Sequence, residues 1–367
     1  MNRGRRPSGR TTPRRTVKIQ ILCTLGPASL SAGVIEQLDQ AGVDLFRINL
    51  SHTPLEALGP CVELVQSASA KPLCLDLEGA QVRCGTMAQG VVLREGDSVR
   101  LTAAQVEGNA CELTLWPRSV FAALRAGSLV TIDFDGAQVR VCEADEDHAQ
   151  AVVVDAGRVR SRKGVVVDPA PTLPALTDKD RAAIGLCMAR GMRHVALSFA
   201  SSAADVELVR SLAPGAHVIA KIESGAGVRN MDGIIDRSDA VLIDRGDLSR
   251  EVPLEYVPFY QKAIARRANR WSRPVYVATN LLESMVTSRN PTIAEANDVA
   301  NTLLDGVHGL VLAAETAIGH DPVGIVRMVS RMIRAFEWSN FATLLERDHP
   351  GRGRAGDLTV DRIAPFA

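Results

Sequence analysis

In the stretch "HVIAKIES" (His217–Ser224) a lysine and a glutamate stand two residues apart at the end of an apolar run. Side chains alternate faces along a strand, so Lys221 and Glu223 point the same way. Such a pair can be a buried salt bridge, or it can be a positive charge set beside a metal ligand. Other apolar runs end in a similar way. Arg47, Asn49 and Ser51 close "DLFRINLS", Asp76 closes "PLCLD" and Ser198 closes "HVALS". Asp244, Arg245 and Asp247 follow "AVLI", Thr279 follows "PVYVA" and Glu315 follows "GLVLAA".

The residue types narrow the chemistry. Glu223 and Asp247 could give two carboxylates to one divalent cation, since Mg²⁺ takes one or two from protein and completes its shell with water and substrate oxygens. Lys221 would then be a compact positive charge for a phosphoryl group or a developing enolate. Arg47 could grip a phosphate through two parallel hydrogen bonds. Gly246 and Asp247, in "RGDLS", precede a possible helical turn whose free N–H groups would suit a carboxylate or phosphate. An exposed adhesion-type RGD is the competing reading, but this one directly follows an apolar strand. These residues point to a metal-dependent enzyme for a small phosphorylated or carboxylated substrate.

Period and punctuation show what must position them. "VKIQILCTL", "VDLFRINL" and "PLCLDL" are strand candidates separated by helical stretches. After Gly85 the texture changes to alternating segments between Gly and Asp turns, such as "SLVTIDFDGAQVRVCEA". From about Asp178 helix and strand alternate again through "HVALSF", "HVIAKI", "DAVLID", "PVYVAT" and "GLVLAA". Three strands before the insertion and five after it make the eight βα units of a TIM (β/α)8 barrel, an α/β fold whose strand ends share one face. An open doubly wound sheet is the alternative, although neither GxGxxG after the first strand nor GxxxxGK[ST] is present. The expected boundaries are a disordered basic tail at 1–16, the barrel at 17–84 and 166–340, a β-rich insertion after strand 3 at 85–165, and a C-terminal tail at 341–367.

Composition excludes several classes. Hydrophobic residues make up 46% and charged ones 23%, with a formal net charge of zero, so nothing global favours nucleic acid or an anionic membrane. No apolar run approaches the ~18 residues of a membrane span. Seven cysteines, with no CxxC pair, read as buried reduced thiols in a reducing, cytoplasmic compartment. "MNRGRRPSGRTTPRR" lacks the apolar core of a signal peptide.

The segments "CTLGPAS", "FRINLSH", "LCLDLEGAQVRCG", "LPALTDKD", "AKIESGAGV", "DRGDLSREVP", "ATNLLESM" and "AAETAIGHDP" resemble the pyruvate kinase family in content and order, from about Val17 to Glu337. That resemblance implies a barrel with a mobile β lid, and phosphoryl transfer from phosphoenolpyruvate to ADP. It implies that Lys221 stabilises the transferring phosphoryl group and the enolate, that Glu223 and Asp247 hold Mg²⁺ (or Mn²⁺), and that Arg47 binds phosphate. Asn49, Ser51, Asp76 and the carbonyl of Leu77 would enclose K⁺. Thr279 would lie near the enolate carbon, with Ser198 and Gly246 lining the substrate, and Pro27, His52, Arg83 and Lys163 would contact ADP or ATP.

The chain departs from the family pattern at several points. Ala313 stands where serine is usual, Asp244 where alanine is, Asn280 where glutamine is, and Val166 where asparagine is. Glu78 replaces a common lysine, Gln81 a glutamate or lysine, and Gly225–Ala226 a polar pair. No regulatory third domain is recognisable after Glu337, so a monomer or a barrel-mediated homodimer is expected. These departures keep two alternatives open: a paralogue acting on another 2-oxo or enol acid, and a catalytically weak binding or regulatory paralogue.

Overall fold

The computed structural model describes residues 18–133 and 136–339. The tails expected at 1–16 and 341–367 lie outside those residues. Eight parallel strands close into a barrel: β1 (Gln20–Leu25), β2 (Leu45–Asn49), β3 (Leu73–Asp76), β4 (His194–Leu197), β5 (His217–Ile222), β6 (Ala240–Asp244), β7 (Val275–Ala278) and β8 (Gly309–Leu312). Each strand pairs with the next in sequence, and β8 returns to β1. β3 pairs with β4 across the long insertion, Asp76 lying opposite Ala196.

The alternation of strand side chains divides the core into two layers. Outward residues such as Phe46, Ile48, Leu75, Val218, Ala220 and Ile243 pack under the surrounding helices. Inward residues Leu22, Leu45, Cys74, Ala196, Ile219, Leu242, Tyr276 and Val311 fill the barrel. Each such Leu or Ile contributes about 1.5–3 kcal/mol by burial, so the floor is a stable platform. Two residues further along the same inward face the chemistry changes. Leu45 is followed by Arg47, Cys74 by Asp76, Ala196 by Ser198, Ile219 by Lys221, and Leu242 by Asp244, all of them buried.

Three helices around the barrel begin with reciprocal capping boxes: Thr177 with Asp180, Ser202 with Asp205, and Thr292 with Glu295. These bonds satisfy N–H groups that the first helical turn leaves free.

The insertion is a seven-stranded sheet with its own core, which includes Val99, Leu101, Leu113, Leu115, Val130 and Val139. Its edge strands are Arg83–Cys84 and Val165–Asp168, so the sheet reaches slightly past the expected span of 85–165. The chain leaves β3 through Gly79, whose φ is +69°. A Cβ there would sit 3.1 Å from that of Ser198, so both conformation and space call for glycine.

All seven cysteines are free; Cys23, Cys74, Cys84 and Cys187 are buried, Cys61 is half-buried, and Cys111 and Cys142 are exposed. Burial pushes the Cys23 and Cys187 thiols up to about 12, so neither is a thiolate at neutral pH. Among the described residues no helix is long and apolar enough to cross a membrane.

Candidate active site

The charged layer above the apolar floor forms the site. Lys221 Nζ lies 3.1 Å from Glu223 Oε2, 3.5 Å from Asp76 Oδ1 and 3.9 Å from Asp244 Oδ2. It also donates to Ser198 Oγ at 3.0 Å, and Ser198 donates to the Leu77 carbonyl at 2.7 Å. Arg47 Nη2 is 3.3 Å from Asp76 Oδ2. Arg47 Nε and Nη1 are buried with no hydrogen-bond partner among the described residues.

Burial alone would lower the Lys221 ammonium, but Asp76, Glu223 and Asp244 together hold it above its ordinary value. Arg47 is held up in the same way, against burial, chiefly by Asp76 and then Asp244. Both stay charged. Glu223 is raised by burial and further by Asp247 and Asp244, while Lys221 opposes the shift. Asp247 is raised by burial and by Asp244. This crowding of negative charge is a place for a cation.

The donor set fits a hard divalent cation. Glu223, Asp244 and Asp247 each offer a carboxylate oxygen, and those oxygens lie within 4.8 Å of one another. Glu223 Oε1 accepts the Phe199 amide at 2.8 Å, whereas Oε2 is buried without a hydrogen bond. Oxygen donors in this number suit Mg²⁺ or Mn²⁺ rather than a thiolate-seeking metal.

Gly246 and Asp247 differ from expectation. They lie inside a short helix, Arg245–Glu251, rather than before it. The Gly246 N–H donates to Thr279 Oγ1 at 2.8 Å and the Asp247 N–H to Asp244 Oδ1 at 3.4 Å, so neither is free. The single Thr279 hydroxyl proton is placed between the Ala278 carbonyl at 2.6 Å and Asp244 Oδ1 at 3.1 Å. Thr279 has φ +69°, unusual for a β-branched residue. Two polar residues that follow strands are engaged by neighbouring loops and helices. Arg245 bonds the Thr279 carbonyl and pairs with Asp298 at 2.8 Å. Glu315 accepts the Leu282 and Ala313 amides.

Asn49 is opposite Asp76 in the β2–β3 register, and its Oδ1 accepts the Ser51 amide at 2.9 Å. Asp76 Oδ1 has no hydrogen bond among the described residues. Arg83 and Lys163 sit on adjoining segments of the inserted sheet, with the Cys84 amide donating to the Lys163 carbonyl. Pro27 and His52 are exposed on the loops after β1 and β2. No hydrogen bond or ion pair joins Pro27 or His52 to Arg83 or Lys163 among the described residues.

Two contributors were not singled out in the sequence. Arg250 lies 3.1 Å from Asp247 Oδ1. Asp180 is fully buried and accepts the amides of Glu78, Gly79 and Thr177 at 2.8–3.1 Å, which pins the exit from β3. The signal for Asp180 was the T-x-x-D capping box in "LTDKD", which marks a helix start but not its distant partners.

Known proteins are similar to this chain in sequence and fold. Residues 16–326 match the family model described as the pyruvate kinase barrel domain. A pyruvate kinase of Mycobacterium tuberculosis is 38% identical over 335 residues, covering 88% of this chain and 71% of its own. One from Methylorubrum extorquens is 37% identical over 333 residues, covering 88% and 70%. The crystal structure of a pyruvate kinase from Cryptosporidium parvum superposes with a TM-score of 0.82 at 30% identity, covering 90% of this chain and 71% of that one.

Proposed function

The chain belongs to the pyruvate kinase family of phosphotransferases, and on that premise we propose that the barrel mouth transfers a phosphoryl group from phosphoenolpyruvate to ADP, giving pyruvate and ATP. The observation that carries this reading is Lys221, a buried cation held among Asp76, Glu223 and Ser198 at the end of β5.

In phosphoryl transfer the protein mainly positions reactants and neutralises charge. Lys221 meets the transferring group and the enolate oxygen left behind. Arg47, with two unpartnered donor nitrogens, grips phosphate from the opposite wall. Glu223 and Asp247 would hold Mg²⁺, which when bound would supply positive charge to the reacting centre. Thr279 presents its hydroxyl beside the enolate carbon, with Gly246 and Ser198 bounding the pocket. Asp76, with an oxygen free of hydrogen bonds, would join Asn49, Ser51 and the Leu77 carbonyl in holding K⁺. Pro27 and His52 from the barrel and Arg83 and Lys163 from the inserted sheet contact the nucleotide, and the sheet acts as a lid that excludes water.

The test is pyruvate formation by purified protein from phosphoenolpyruvate and ADP with Mg²⁺, with and without K⁺, beside Lys221→Met. Turnover that depends on Lys221 is the expected result. A folded wild-type chain that binds both substrates and forms no pyruvate overturns the assignment.

A further inference from the structure

Asp244 is a carboxylate to which the reaction above gives no task. It caps the helix Arg245–Glu251, since its Oδ1 accepts the Asp247 amide and the Thr279 hydroxyl. Capping employs one oxygen only. Asp244 Oδ2 makes no hydrogen bond among the described residues, and Lys221 is 3.9 Å from it. A cap can also do its work in water, whereas Asp244 is 4% exposed.

The charge balance makes this position costly. Asp76, Glu223, Asp244 and Asp247 face Arg47 and Lys221, with Arg250 reaching Asp247 from the rim. Four negative charges against three positive leave an excess of one. A buried carboxylate added to such an excess is unfavourable unless a proton or a cation answers it, and the crowding already raises the Glu223 and Asp247 carboxyls. A second observation points to the same cation: Glu223 Oε2, on a residue with no exposed surface, has no hydrogen bond and meets only the Lys221 ammonium at 3.1 Å, which Asp76 and Asp244 share.

We propose that Asp244 ligates the divalent cation, so that the chain holds its metal with three carboxylates, Glu223, Asp244 and Asp247, before any phosphorylated substrate arrives. The inference rests on reading Glu223 and Asp247 as cation ligands. A site with two protein carboxylates leans on substrate oxygens to complete its grip, and a third carboxylate shifts that grip to the protein. Loading a divalent cation turns the local excess from one negative to one positive charge. An anionic substrate therefore meets more positive charge in the loaded mouth than in the metal-free one. Cation first and substrate second becomes the order of binding.

The probe is Mn²⁺, titrated into the full chain without substrate, with free Mn²⁺ read by electron paramagnetic resonance. Asp244→Asn keeps the acceptor for the Asp247 amide and removes only the charge; Asp244→Ser replaces it if the asparagine variant does not fold. Wild type is expected to bind one Mn²⁺ per chain. Asp244→Asn is expected to bind at least about tenfold more weakly, with the gap narrowing when phosphoenolpyruvate is added. Unchanged affinity in Asp244→Asn, with loss in Glu223→Gln, overturns the proposal and leaves the two-carboxylate site standing. Unchanged affinity in both variants removes the cation site itself, and the proposal with it.

Discussion

Lys221 Nζ lies 3.1 Å from Glu223 Oε2, and yet that oxygen has no hydrogen bond. The ammonium is shared among Glu223, Asp76, Asp244 and the Ser198 hydroxyl, so it closes no single ion pair. Lys221→Met is expected to lower turnover by ~10²–10³ or more, as loss of one transition-state contact does. It also leaves three buried carboxylates facing only Arg47, and breaking buried pairs costs about 3–5 kcal/mol. Melting without metal should drop accordingly, and Mn²⁺ should restore part of the loss. Wild-type turnover in this variant would remove Lys221 from the reaction.

Thr279 adopts φ +69° and is fixed from both sides. Arg245 Nη2 donates to its carbonyl at 2.7 Å, and the Gly246 amide donates to its hydroxyl at 2.8 Å. Thr279→Val keeps the shape but strands the amide and leaves Asp244 without a hydroxyl donor. A loss of about 1–3 kcal/mol is expected from the unsatisfied group, together with a fall in kcat larger than any change in KM. Thr279→Ser should recover most of both. Equal denaturant midpoints for the valine and serine variants would show that the hydroxyl bond contributes nothing.

The barrel was legible because a period of two survives wherever a strand is flanked by helices. Leu45 to Arg47 and Ile219 to Lys221 are single steps along one face, and sequence shows them directly. Beyond the last strand residue the period no longer governs direction. Lys221 still lies inside β5, whereas Arg245 and Glu315 lie past the ends of β6 and β8, and they turn to backbone partners on neighbouring loops. The engagement of the Gly246 and Asp247 amides is equally tertiary, because it depends on where Thr279 and Asp244 sit. The edges of the inserted sheet were blurred for a related reason. Arg83 and Val165 belong to it through pairing with strands far along the chain.

Asp180 is the least visible of the residues that position the site. Its carboxylate reaches across about a hundred residues to the amides of Glu78 and Gly79 while capping its own helix through Thr177. Asp180→Ala leaves three amides without their acceptor, at an expected cost of about 3 kcal/mol. Since the chain passes from β3 into the inserted sheet there, KM for the nucleotide should rise as well. Faster hydrogen exchange at the Glu78 and Gly79 amides checks the cause. Unchanged exchange at both would mean that the loop is held by something else.

At the opposite end of the barrel, His194 and His217 open β4 and β5 with ring centroids 5.2 Å apart. Burial holds both below their ordinary value of 6.5. His217 lowers His194 further; at His217 Asp239 opposes the shift and Arg210 adds to it. The unfolded chain therefore takes up these protons at a higher pH than the folded one. The stability they contribute is present above the ordinary histidine range and is lost as pH falls through 6.5 toward the lowered values. Between pH 7.5 and 5.5 the wild-type Tm should drop more than that of a His194→Gln, His217→Gln double variant. Apart from Asp239, which His217 helps to lower, the carboxylates keep their surroundings in the two proteins, so the difference reads the histidines and their Asp239 partner. An equal drop in both would place the acid sensitivity elsewhere.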